Sequence, residues 1–144
     1  MYEVAVNYWA VLGAAISSMI LGFIWYGPLF GKQWADMMGF KFDSPEAMKE
    51  MKKKAMPGYI AGFIGALIMS FVLTHSIAFA SAYTEVEGVS AGLMAGFWSW
   101  LGFIAPVSIG VVFWESKPWK LWFINAGYWL LLLLVMGVIL AVWR

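Results

Sequence analysis

Residues Leu121–Trp143 read LWFINAGYWLLLLLVMGVILAVW, with no Asp, Glu, Lys or Arg among them. As a helix rising 1.5 Å per residue, this run is about 35 Å long, enough to cross the ~30 Å hydrocarbon core of a bilayer. Extended back to Pro118, it is the last of four such segments: Val6–Tyr26, Gly58–Ala82, Val89–Phe113 and Pro118–Trp143. The one charge in all four is Lys120, at the start of the last. The chain is 144 residues long, 63% hydrophobic and 12% charged, against roughly half and a quarter in soluble domains. That leaves too little polar surface for four buried helices in water. The segments predict an all-α, four-helix transmembrane bundle, a single integral membrane domain over residues 1–144.

The connections set its orientation, because basic residues stay on the cytoplasmic side. Lys32, Lys41, Lys49, Lys52, Lys53 and Lys54 lie between the first two spans, and Lys117 lies between the last two, with Lys120 just beyond it. The connection Tyr83–Gly88 holds Glu85 and Glu87 and no basic residue; only Arg144 falls on that side. Both termini are therefore expected outside. The start, Met1-Tyr2-Glu3-Val4, lacks the basic leader and cleavage site of a secretory signal, so the first span is expected to be retained.

The long connection Gly27–Pro57 has amphipathic order. Phe30, Trp34, Met37 and Met38 share one helical face. Ser44-Pro45-Glu46 reads as an N-cap, a proline in the first turn and an acid near the positive helix end, with Ala47, Met48, Met51 and Ala55 on one face behind it. Two cytoplasmic interfacial helices are expected here, their lysines meeting anionic lipid.

Small residues recur at every fourth position, the spacing that lets helices approach closely in lipid. The second span carries Gly58, Gly62, Ala66 and Ser70, with Ala61 and Gly65 alongside; the third carries Gly88, Gly92 and Gly96; the first offers Ala14, Ser18 and Gly22. The acidic turn joining the second and third spans suggests that their stripes meet, leaving the remaining stripe to face another span or another copy; a homo-oligomer or a partner membrane protein is the partner expected. Trp9 and Trp143 suit an outer aromatic belt, and Trp25, Trp34, Trp114, Trp119 and Trp122 an inner one. Trp98, Trp100 and Trp129 fall deeper and read as packing.

Several functions are excluded or weakened. A net charge of +1 argues against a nucleic-acid partner, and without cysteine there is no disulfide, thiolate nucleophile or thiolate-bound metal. No P-loop, dinucleotide fingerprint or paired carboxylates appear, and no cofactor is expected. His75 is the one ionisable group well inside a span, and so a candidate for proton acceptance or ligand contact, or else a neutral interface histidine. Glu115 ends the third span at the opposite face, out of reach of His75, with Ser116 a candidate cap for the fourth helix. Pro106 cannot donate a backbone bond and frees the Gly102 carbonyl. Asn125, at similar depth, is expected to satisfy it. Asn7 and Tyr8 are expected to pair at the outer interface.

The strings Asn7-Tyr8, Trp25-Tyr26-Gly27-Pro28-Leu29-Phe30-Gly31-Lys32 with Trp34, Gly102-Phe103-Ile104-Ala105-Pro106, and Glu115 followed by Pro118-Trp119-Lys120-Leu121-Trp122-Phe123-Ile124-Asn125-Ala126-Gly127-Tyr128 resemble an uncharacterised family of small bacterial four-span membrane proteins, a domain of unknown function. The resemblance implies a bacterial inner membrane and no activity, and it draws attention to the cytoplasmic half. The expectation is a non-enzymatic packing or accessory subunit acting through helix contacts. The alternatives are a homo-oligomeric conduit for a small solute or ion, and a redox or lipid-binding subunit using His75 or Glu115.

Overall fold

Helix α1, Tyr8–Ile24, starts where the Asn7 side chain accepts the backbone N–H groups of Trp9 and Ala10, at 3.0 and 3.3 Å. These are two of the donors that a helix start leaves without partners. The computed structural model describes residues 4–41 and 43–144; Met1–Glu3, on which the expectation of a retained first span partly rests, lie outside the described residues. The remaining helices are α2 (Gly31–Met38), α3 (Pro45–Thr84), α4 (Gly88–Ser99), α5 (Ala105–Ser108), α6 (Gly110–Phe113) and α7 (Trp119–Val142). The four spans are α1 continued to Leu29, α3, α4 to α6 taken together, and α7, each long and apolar enough to cross a bilayer. The chain is a multi-pass membrane protein of all-α class.

The two amphipathic pieces of the first connection have different fates. Gly31–Met38 is a helix of its own, ended by Gly39 at φ 78°. The left-handed turn there lets the Phe40 N–H reach the Ala35 carbonyl at 3.0 Å. The piece that starts at Ser44, whose Oγ accepts the Ala47 N–H at 3.1 Å, does not end before the membrane. It is the first part of α3, a single helix of 40 residues that continues through Pro57. At about 60 Å, α3 is roughly twice the hydrocarbon thickness, so its lysine-rich start extends beyond the span. Pro57 is tolerated because the carbonyl it leaves free, that of Lys53, lies in this polar stretch.

All four spans contribute to the core. It is built from Ala10, Val11 and Ala14 of α1, Leu73 and Ile77 of α3, Ala91 and Ala95 of α4, and Leu132, Leu133, Met136, Leu140 and Ala141 of α7. Small residues dominate α1 and α4, while α7 supplies the bulk. This alternation lets α7 sit centrally, packed against each of the other spans.

The small-residue stripes do not pair as expected. That of the third span faces α7: a Cβ on Gly92 would run into the Gly137 carbonyl, one on Gly137 into the Gly92 carbonyl, and one on Gly96 into the Leu133 carbonyl at 2.5 Å. The α4 and α7 backbones touch, which no larger residue permits. The second span divides its small residues. Ala66 and Ser70 are buried with Leu73 and Ile77 on the inward face, whereas Gly58, Gly62 and Gly65 would meet nothing within 4 Å if given a Cβ. Sequence spacing identifies a close-packing face but not the helix opposite it, and α7 offered the third span a glycine of its own.

At the end bearing the termini, Asn7 Nδ2 donates to the Trp143 carbonyl at 3.2 Å and Arg144 Nη2 to Ser81 Oγ at 3.1 Å. The first, second and last spans are tied there. Asn7 thus pairs with Trp143 in place of Tyr8, whose side chain points outward, 70% exposed. The lysines gather at the opposite, basic end.

Candidate functional site at the basic end of the bundle

Two prolines shape this site by forcing the helix before or around them to widen. Around Pro28, residues Trp25–Leu29 form a π turn in which the Phe30 N–H reaches back five residues to the Trp25 carbonyl at 2.9 Å. Ahead of Pro106, Trp100–Ile104 form a second, closed by the Ala105 N–H on the Trp100 carbonyl. A π turn takes up the irregularity created by a residue that cannot donate, and such turns are frequent at functional positions. A Cβ on Gly31 would collide with the Tyr26 carbonyl at 2.5 Å, so the exit from the first turn requires glycine.

Each π turn opens with a tryptophan, and both tryptophans grip the same stretch of α7. Trp25 Nε1 donates to the Ile124 carbonyl at 3.0 Å and Trp100 Nε1 to the Ala126 carbonyl at 2.8 Å. A helical carbonyl has a second lone pair that can accept such a donor without giving up its own ladder bond. A third indole, Trp122, donates to Ser108 Oγ at 3.0 Å and ties α7 to α5. Trp25 is thus a clamp between spans, not a simple interfacial anchor. Of the tryptophans read as deep packing, Trp100 fits that role, but Trp98 is 60% exposed and faces outward.

Between the two clamps lies a polar pair. The Tyr26 hydroxyl donates to Asn125 Oδ1 at 2.9 Å, and the Tyr128 hydroxyl donates to the Ser18 carbonyl at 3.2 Å. The two tyrosine rings lie 5.1 Å apart, Trp34 packs edge-on against Tyr26 at 5.4 Å, and Trp25 stacks on Phe30 at 4.8 Å. Asn125 therefore serves the first span through Tyr26 and not the Gly102 carbonyl of the third. The π turn accommodates Pro106 instead.

Beside these residues is a groove of about 500 Å³, lined by Trp25 at the end of the first span, Phe30 and Gln33 from the first connection, and Trp119, Lys120, Phe123, Ile124 and Gly127 from α7. Its polar groups, the Gln33 amide and the Lys120 ammonium, come from the helix starts; its walls are aromatic and aliphatic. Nearby, Lys117 Nζ donates to the Met37 carbonyl at 3.4 Å, near the negative end of α2.

The other candidate residues stand apart. His75, on α3, lies with Nδ1 2.9 Å from the carbonyl of Phe71, one turn back on its own helix, and its ring packs on Phe71 at 4.6 Å. Because a carbonyl only accepts, Nδ1 carries the proton. Glu115 is exposed between α6 and α7. Ser116, at φ 53°, does not cap α7; the N-cap position belongs to Pro118 and has no side-chain bond. Hydroxyls inside the spans bond to carbonyls three or four residues back, as Ser18 does to Ala15, Ser70 to Ala66, Thr74 to Ser70 and Ser76 to Val72. Among the described residues, no group of three His, Asp or Glu could hold a metal ion.

Sequence reasoning did not single out Tyr26, Tyr128, Gln33 or Lys120. A phenol inside a span needs a partner for its hydroxyl, and that signal marked both tyrosines. Gln33 and Lys120 carried no such mark, since each becomes part of a site only once α2 and α7 are brought together.

No curated protein and no solved structure matches the chain significantly. The sequence matches the family described as "Protein of unknown function (DUF1761)" over residues 9–141. With that match covering nearly the whole chain, the protein belongs to this family of unknown function.

Proposed function

We propose that this protein is a non-enzymatic membrane subunit that acts by seating a helix of a partner membrane protein against α3. The observation that carries the reading is the open backbone at Gly58, Gly62 and Gly65, where added Cβ atoms would meet nothing. In lipid, association depends on close packing, and a helix surface without side chains offers the closest approach. Gly92, Gly96 and Gly137, by contrast, are used in the chain's own packing, while the third span has a single open glycine beyond its first residue, Gly102, and no strip of them. On the same helix Tyr59, Ile60, Ile64 and Ile68 are exposed as well. The start of α3 carries Lys49, Lys52, Lys53 and Lys54 beside Glu46 and Glu50, a charged arm that can select a partner's polar segment.

The reading includes a bacterial inner membrane with the basic end in the cytoplasm and both termini outside, on the distribution of lysines. It does not use His75 or Glu115 as reacting groups, since His75 is engaged by its own helix and Glu115 is apart from it. The test is native mass spectrometry of complexes released from the native membrane in mild detergent. The wild type is expected in a complex with one or more further chains. Gly62→Leu is expected as a folded, free monomer, because a Cβ there meets open space within the chain's own fold while a leucine keeps another helix from approaching closely. Wild type released only as a monomer, or Gly62→Leu retained in the complex at wild-type level, contradicts the proposal.

A further inference from the structure

We propose that the groove between α2 and α7 is a binding site for a single anionic phospholipid of the leaflet at the basic end. The polarity of its lining changes with depth in the way a lipid does. Lys120 lies in the first turn of α7 and Gln33 in α2, followed by Phe123 and Ile124 about one turn deeper and Gly127 a turn below them. Over some 10 Å the wall passes from ammonium and amide to pure hydrocarbon. The phosphate of a lipid would meet Lys120 and Gln33, and its first methylenes would lie along Phe123 and the Trp25 ring that covers Gly127.

The remaining charges favour an anion here. Lys32 adjoins Gln33 in sequence, and Lys117, three residues before Lys120, is turned to the Met37 carbonyl. Asp36, on α2, is exposed and does not line the groove. Beside the groove Phe123 is 65% and Trp119 46% exposed, aromatic surface that a bilayer covers and that a lipid can follow into the site. At about 500 Å³ the groove is an open depression along the helices, a shape that suits a lipid lying against the surface. The rear wall is fixed, because Trp25 is bonded to Ile124 at 3.0 Å and stacked on Phe30. No lining residue belongs to α3, so this inference stands independently of the partner contact proposed above.

The test is native mass spectrometry of the delipidated full-length chain titrated with phosphatidylglycerol or phosphatidylcholine of the same acyl composition. The wild type is expected to retain one phosphatidylglycerol in preference to phosphatidylcholine. Lys120→Gln is expected to reduce that preference about fivefold, the effect of one lysine near a membrane surface. Phe123→Ala should weaken retention of both lipids, and Lys52→Gln, on the α3 arm, should change neither. Lys120 and Phe123 are exposed, so both variants are expected to keep the wild-type circular dichroism. Equal retention of the two lipids by the wild type, full retention by Phe123→Ala, or an equal loss with Lys52→Gln each overturns the proposal.

Discussion

The hydroxyl of Tyr26 and the amide oxygen of Asn125 are 2.9 Å apart, though 99 residues separate them in sequence. They join the last turns of the first span to the first turns of the last one. The same pair of segments is fastened again by Trp25 on Ile124 and Tyr128 on Ser18. Helices that meet in lipid gain no hydrophobic drive from doing so, and such bonds fix which faces meet.

Removing one member of that pair leaves the other without its partner. Tyr26→Phe and Asn125→Leu are each expected to lower stability. In a double-mutant cycle, measured by unfolding in mixed micelles, their coupling should be about 1 kcal/mol. A coupling indistinguishable from zero would mean that the bond does not hold the two spans together.

Gly92 and Gly62 are expected to respond oppositely to the same change. Gly92→Ala puts a methyl into the Gly137 backbone and should destabilise the bundle by roughly 1–3 kcal/mol, with loss of α4 to α7 packing. Gly62→Ala meets open space and should stay within about 0.5 kcal/mol of the wild type. Thermal or detergent-induced unfolding followed by circular dichroism checks both.

Asn7 performs two tasks that one substitution separates. Asn7→Asp keeps an oxygen for the Trp9 and Ala10 N–H groups but loses the donor to the Trp143 carbonyl. Hydrogen exchange should quicken at the C-terminal end of α7 while the start of α1 stays protected. Asn7→Ala should quicken both and cost about 1 kcal/mol, the usual value of an N-cap.

His75→Ala is expected to change stability little, within about 0.5 kcal/mol, because the ring's hydrogen bond is to its own helix at Phe71. It is also expected to leave the association of α3 with its partner intact. Loss of that association in the His75 variant would show the imidazole to be part of the contact.

How much of this was legible in the sequence differs by level. Leu121–Trp143 and its three counterparts read as spans because a bilayer imposes a length and an absence of charge that few other environments do. Asn125 was placed by its height along α7, and height does not give the direction faced, so Gly102 was chosen over Tyr26 as its partner. The stripe at Gly92 and Gly96 showed a face prepared for close approach, while the choice of Gly137 as its counterpart depended on how all four spans pack. The piece at Ser44 carried true start signals, yet nothing local showed that the helix would run on through Pro57. The groove at Gln33 and Lys120 was invisible for the same reason: it exists only between elements distant in the chain.

The most direct measurement is site-specific cross-linking in native membranes. The chain has no cysteine of its own, so a single cysteine carrying a short photoreactive cross-linker reports one position at a time. Ala61→Cys, exposed at the edge of the open face of α3 and so outside the glycine seat itself, is expected to yield a discrete cross-linked species. Val107→Cys, 77% exposed on the third span, is expected to yield none. If Ala61→Cys is labelled efficiently but cross-links no protein, or if both positions give the same diffuse products, then α3 does not seat a partner helix and the proposed function is wrong.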